Sequence, residues 1–145
     1  MPTRNATAIW EGGLATGSGR FRGQTGVSGA YSFDSRFADA LGSNPEELLA
    51  AAEASCYSMA LTLGLERAGF PPTLVETRAA CTVDKVGEGF TITRMQLAVR
   101  ATVPAIDDAA FQAIALATKD GCPVSRALHG NVPIDLEAVL VRPTA

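Results

Sequence analysis

Residues 43–69 read SNPEELLAAAEASCYSMALTLGLERAG, and the way this stretch folds decides the rest of the chain. Asn44 is suited to cap a helix, Pro45 to take its first position, and Glu46 and Glu47 to face its positive N-terminal end. Leu48, Ala52, Cys56, Met59 and Leu63 then recur at three- and four-residue steps, the period of one helical face. Ala50, Ala51, Ala54 and Ala60 keep the other faces small. No charge interrupts Ala54 to Leu65, so the helix is expected to be buried on most sides, by its own sheet or by a partner subunit. Gly69 and then Pro71-Pro72 end it.

Outward from this helix the pattern changes period. Half of the 14 glycines lie between Gly12 and Gly29, around short alternating pieces at Thr7 to Trp10, Arg20 to Arg22 and Ala30 to Phe33. These read as β-hairpins with glycine turns. Gly17-Ser18-Gly19 with Gly23 misses the spacing of a dinucleotide loop and reads as a turn. After the helix, Thr73 to Asp84 and Phe90 to Val103 are rich in Val, Thr and Ile, with Gly87-Glu88-Gly89 between them, which predicts a hairpin. Asp107-Asp108 starts a second helix over Ala109 to Lys119. Cys122-Pro123 opens a third through Leu128, and Val132 to Val141 closes the chain as a strand. The order gives an α+β fold.

The 145 residues (15.0 kDa) suit one domain, 1–145. Hydrophobic residues make up 47% and charged residues 19%, enough apolar material for a core and too little charge for disorder. Twelve basic against fifteen acidic residues give a net charge of −3. Nucleic acid is therefore not an expected partner, because phosphate neutralisation needs a surplus of Lys and Arg. Met1 to Trp10 hold no signal-peptide core, and Ala54 to Leu65 is short of the roughly 20 residues that a membrane span requires. A cytoplasmic location with no membrane partner is the expectation, and it leaves the Asn5-Ala6-Thr7 glycosylation match without weight.

Three cysteines at wide spacing are not a secreted disulfide framework. Cys56 on an apolar helix face is by default a small buried hydrophobe. Cys81, mid-strand with Ala79 and Val83 on one face at period two, reads as core and as a bystander to any chemistry. Cys122 stands at a helix N-terminus, where free backbone N–H groups stabilise a thiolate. His129 is the only histidine, and no pair of cysteines has ligand spacing, so no metal site is expected.

These segments resemble a known family. Asn44-Pro45-Glu46-Glu47-Leu48, followed by Ala-rich sequence to Cys56-Tyr57-Ser58-Met59-Ala60-Leu61, resembles the first cysteine motif of the OsmC/Ohr family. Gly121-Cys122-Pro123-Val124-Ser125 resembles its second. Tyr31-Ser32-Phe33-Asp34-Ser35-Arg36-Phe37 is similar to the segment that supplies the active-site arginine in the OsmC branch. Trp10-Glu11-Gly12 and Asp84-Lys85-Val86 with Gly89-Phe90 also fit, so the likeness covers nearly the whole chain. The Ohr branch places its arginine nearer the N-terminus, where Arg20 and Arg22 would be the alternatives to Arg36.

The resemblance implies an OsmC-like fold, antiparallel sheets around a long central buried helix, in an intertwined homodimer with shared active sites. It implies a stress-response antioxidant enzyme, a thiol peroxidase that reduces organic hydroperoxides to alcohols. Cys56 would attack the O–O bond and become a sulfenic acid, which Cys122 would resolve as a disulfide. Arg36 would stabilise the Cys56 thiolate, and Glu46 would orient Arg36 through a bidentate pair. A dihydrolipoyl carrier would recycle the disulfide, and no bound cofactor is called for. Two other readings use the same residues: a non-catalytic redox sensor or binding module, and a structural dimer whose cysteines are all core. Helix geometry adds one expectation. Glu46 and Cys56 on one continuous helix would lie about 15 Å apart along its axis and point roughly 80° apart, so Glu46 suits the Cys56 of a partner chain better than its own.

Overall fold

A computed structural model describes residues 1–142; the last three residues of the expected 1–145 domain lie outside it. The chain divides into two compact units, Met1–Leu48 and the residues from Leu49 onward.

In the first unit β1 (Ala6–Glu11), β2 (Ser18–Gly23) and β3 (Ser28–Tyr31) form an antiparallel meander. Gly12 and Gly26 turn the chain at φ +91° and +110°, where a side chain would be strained. Gly19 has a different role from the turn expected of it. It pairs with Tyr31 inside β2, and a Cβ there would meet the Tyr31 ring at 2.5 Å and Trp10 at 2.9 Å. The expected strand through Phe33 also stops early, at Tyr31. Ser32 instead caps a short helix, α1 (Phe33–Phe37): its Oγ accepts from the Ser35 N–H at 3.0 Å, and the Ser35 hydroxyl accepts from the Ser32 N–H at 2.8 Å. This reciprocal cap satisfies two backbone donors at once.

Helix α2 (Pro45–Arg67) begins as the sequence predicts, with Asn44 Oδ1 accepting from the Glu47 N–H at 2.8 Å. Its end is fixed by Gly69 at φ +88°, with Phe70 N–H on the Leu65 carbonyl and Gly69 N–H on that of Glu66.

The second unit holds most of α2, then β4 (Leu74–Val86), β5 (Gly89–Thr102), α3 (Asp108–Gly121), α4 (Pro123–Leu128) and β6 (Ile134–Leu140). β4 and β5 pair antiparallel down to Val86 opposite Gly89, closed by Gly87 at φ +63°. The expectation of antiparallel sheets fails at one place: β6 lies beside β5 in parallel. α3 and α4 carry the chain back along the sheet before β6 begins, which is the connection a parallel pair requires. β5 is the middle strand, and Met95, Leu97, Val99 and Ala101 point from it into the core at period two. Tyr57, Leu61 and Leu65 of α2 share one cluster with Leu97, Val99 and Ala101, together with Phe111 and Ala115 of α3.

The face that α2 buries differs from the one periodicity selects. Glu53, Tyr57, Leu61 and Leu65, at four-residue steps, are buried, whereas Met59 is 76% and Leu63 46% exposed. A helix apolar on every side offers no contrast by which the sequence could choose between faces. Residues 48–65 carry Glu53 as their only charge, so α2 is, by length and composition, long and apolar enough to cross a membrane, which the shorter Ala54–Leu65 run does not suggest.

The buried stripe has a measurable consequence. Leu61→Ala should cost about 3 kcal/mol of unfolding free energy. Cys81→Ala, at a half-buried position opposite Met95, should cost about 1 kcal/mol. Equal losses in chemical denaturation would show that the buried face has been misassigned.

Candidate active site

Two clusters contain the residues singled out above, one in each unit. In the first unit, Arg36 leaves α1 and meets Glu46 in the first turn of α2. Its Nη2 donates to Oε1 at 2.7 Å, and its Nε lies 3.2 Å from both carboxylate oxygens. Glu46 is buried, its side chain 6% exposed, while Arg36 keeps 35% of its side chain open. A planar guanidinium held across both oxygens is fixed in direction as well as in charge.

The surrounding chain holds that geometry. Ser35 Oγ donates to the Ser43 carbonyl at 2.8 Å, and Asn44 Nδ2 donates to the Ser35 carbonyl at 3.2 Å. Asn44 thus caps α2 and clips α1 to it. The Phe33 and Phe37 rings pack 5.0 Å apart, and the Arg36 guanidinium lies 5.0 Å from the Phe37 ring centroid. Of the two alternatives, Arg20 and Arg22, Arg20 is committed to an exposed pair with Glu11 at 3.2 Å.

In the second unit, Cys56 on α2 packs against the buried cluster that contains Cys122, and both are free thiols. Cys122 is fully buried at the joint between two helices, where it ends α3 with its N–H on the Thr118 carbonyl at 2.8 Å and begins α4. Pro123 sits at the first position of α4, where its missing N–H costs nothing. The helix N-terminus does not act on the cysteine that the sequence suggested. The Cys122 side chain makes no capping bond, and the Val124 N–H donates instead to the Cys56 sulfur.

Burial pushes the Cys56 thiol above its ordinary pKa; the Val124 N–H opposes this, and the Cys122 thiol and Glu53 push it further up. Within this unit Cys56 is therefore held towards the thiol form.

Glu53 was not singled out by sequence. It is fully buried, and its Oε1 accepts from the Ser125 hydroxyl of α4, while its Oε2 has no hydrogen-bond partner. Its signal in the sequence was its isolation as the lone charge between Leu48 and Leu65. Tyr57 donates its hydroxyl to the Ala115 carbonyl at 2.8 Å; burial, then the charges of Cys122 and Glu53, hold its pKa well above the usual phenol range.

His129, at the end of α4, lines a cavity of about 400 Å³ with Lys119, Ser125 and Arg126. Among the described residues no group of three His, Cys, Asp or Glu side chains is placed to hold a metal ion.

Comparison with known proteins gives this arrangement a context. The family described as "OsmC: OsmC-like protein" matches residues 38–137. "Peroxiredoxin OsmC" of Escherichia coli (strain K12) is 42% identical over 136 residues, covering 92% of this chain and 95% of that protein. Among solved structures, the organic hydroperoxide resistance protein OhrB of Bacillus subtilis superposes with a TM-score of 0.64 at 25% identity, over 93% of this chain and 98% of that one. The OsmC-like protein of Mycoplasma pneumoniae shares the fold at a TM-score of 0.76 and 14% identity, over 97% and 99% of the two chains. The motif resemblance and the fold thus lead to one family, and this chain belongs to the OsmC family.

Proposed function

We propose that this OsmC-family protein, a thiol peroxidase, reduces organic hydroperoxides to alcohols through a Cys56–Cys122 redox pair. The observation that carries the proposal is the packing of Cys56 against the buried cluster that holds Cys122, close enough for the Cys122 thiol to raise the Cys56 pKa. The Cys56 thiolate attacks the O–O bond, the alcohol leaves, and a sulfenic acid remains on Cys56. Cys122, in the same cluster, displaces the hydroxyl and closes a disulfide. A dithiol, by family resemblance a dihydrolipoyl carrier, then reduces that disulfide. The likeness to the Bacillus subtilis organic hydroperoxide resistance protein supports an organic peroxide as substrate.

The first step needs a thiolate, and the second unit by itself disfavours one. Arg36 is the cation proposed to offset this, because it is always charged and Glu46 fixes its direction. The continuity of α2 from Pro45 to Arg67 supports the partner chain's Cys56 as the target of Arg36, with ten residues between Glu46 and Cys56. In a regular helix that spacing amounts to about 15 Å along the axis and roughly 80° of rotation. The proposal is therefore a homodimer with shared sites, each Arg36–Glu46 pair serving the partner's Cys56. Exposed Met59 and Leu63 on α2 supply an apolar face for the two-fold contact. Each subunit contributes one OsmC-like domain.

Three outcomes are expected. Cys56→Ser abolishes peroxide reduction, whereas Cys122→Ser consumes one peroxide per site and then stalls without a disulfide. Equal residual turnover in the two variants would remove the assignment, and steady turnover of an alkyl hydroperoxide with dithiol separates an enzyme from a sensor. Arg36→Ala moves the midpoint of Cys56 alkylation to higher pH, since loss of a cation disfavours the thiolate; an unchanged midpoint would dismiss Arg36. Mixing Glu46→Ala with Cys56→Ser protein under subunit exchange restores about a quarter of wild-type activity, because half the dimers are mixed and each holds one intact site. A mixture that stays inactive after demonstrated exchange would place the carboxylate and the thiol in the same chain's site.

A further inference from the structure

Glu53 has a cost without an evident structural return. It is completely buried, one of its carboxylate oxygens is unpartnered, and no Lys, Arg or His pairs with it among the described residues. Its charge also opposes the thiolate on Cys56. Burying a carboxylate is unfavourable, and leaving one oxygen without a donor makes it more so.

Its position suggests what the oxygen is for. Glu53 precedes Cys56 by three residues on α2, and Cys122 precedes Ser125 by three at the start of α4, so each pair shares one side of its helix. Glu53 accepts from Ser125, and Cys56 packs against the cluster that holds Cys122, so the two helices meet at both pairs. Glu53 and Cys122 both lie near enough to Cys56 and Tyr57 of α2 to raise their pKa values. Tyr57 is already committed to the Ala115 carbonyl. Lys119, Arg126 and His129 line the cavity beside Ser125.

We propose that Glu53 is the proton carrier of the resolving step, a role that rests on the Cys56–Cys122 reading above. That step converts Cys122–SH and Cys56–S–OH into a disulfide and water. The Cys122 proton passes to Glu53 Oε2, and the resulting thiolate attacks the Cys56 sulfur. The S–O bond breaks with both electrons going to oxygen, and the leaving hydroxide takes the proton back from Glu53 as water. The Cys122 sulfur is oxidised and the sulfenic sulfur reduced, so no further oxidant or reductant is involved. Ser125 keeps the carboxylate turned towards the pair.

The test is single-turnover kinetics with one equivalent of an alkyl hydroperoxide, following sulfenic acid by dimedone trapping and disulfide by mass. In Glu53→Gln, peroxide consumption should proceed at least as fast as in the wild type, because a charge opposing the thiolate is gone. The sulfenic acid should persist at least about tenfold longer. Ser125→Ala, which frees the carboxylate to turn away, should lengthen the life of the sulfenic acid in the same direction. Disulfide formation at the wild-type rate in Glu53→Gln would overturn the proposal, as would an unchanged sulfenic acid lifetime in Ser125→Ala should the Gln variant fail to fold. A wild type that consumes no peroxide would instead strike the underlying peroxidase reading.

Discussion

The placing of Cys56 against the buried cluster that holds Cys122 is the constraint on which the proposed chemistry depends. The two residues are far apart in sequence, and they come together only if α2 and the α3–α4 joint are both held in place. The buried face of α2 does the first, seating Tyr57, Leu61 and Leu65 against the inward side chains of β5. The joint does the second: Cys122 closes α3, and Pro123 starts α4 without an unsatisfied donor. Bringing Val124 N–H to the Cys56 sulfur is a consequence of the same joint.

The contact also sets an electrostatic problem. Burial, a neighbouring thiol and a buried carboxylate all keep Cys56 protonated, with one backbone N–H opposing them. Peroxide attack requires the other protonation state. The proposed dimer reconciles the two by bringing in a guanidinium whose direction is fixed before any substrate arrives. The reciprocal Ser32–Ser35 cap, the Asn44 clip and the bidentate Glu46 pair hold Arg36 in that direction. Such preorganisation is what lets an ion at a partly desolvated site act on a reacting atom without first having to be ordered.

Much of this was legible in the sequence where local chemistry dictates local structure. The Asn44-Pro45-Glu46-Glu47 start, the Gly87 hairpin and the break at Gly121-Cys122-Pro123 each have one favourable backbone solution, and each was found. The misses share a cause: they depend on partners distant in sequence. The alternation of Ile134 to Leu140 is the same for a parallel or an antiparallel strand, and the preceding helices decide its direction. The buried stripe of α2 contains a glutamate, so a hydrophobic pattern assigns it to the outside although Ser125 holds it inside. Helix α1 is short, and its cap uses Ser35 in place of the usual Glu or Gln, which leaves Phe33, its first residue, looking like the end of a strand. Which helix N–H groups reach which sulfur is likewise a matter of packing.

The account stands or falls on the redox partner of Cys56. Reduced protein treated with one equivalent of an alkyl hydroperoxide, alkylated and digested without reductant, should lose two hydrogens per chain. It should yield a single disulfide-linked peptide pair joining Cys56 to Cys122, with Cys81 recovered fully alkylated. A linkage through Cys81, or peroxide consumed with Cys56 and Cys122 both still alkylatable, would contradict it.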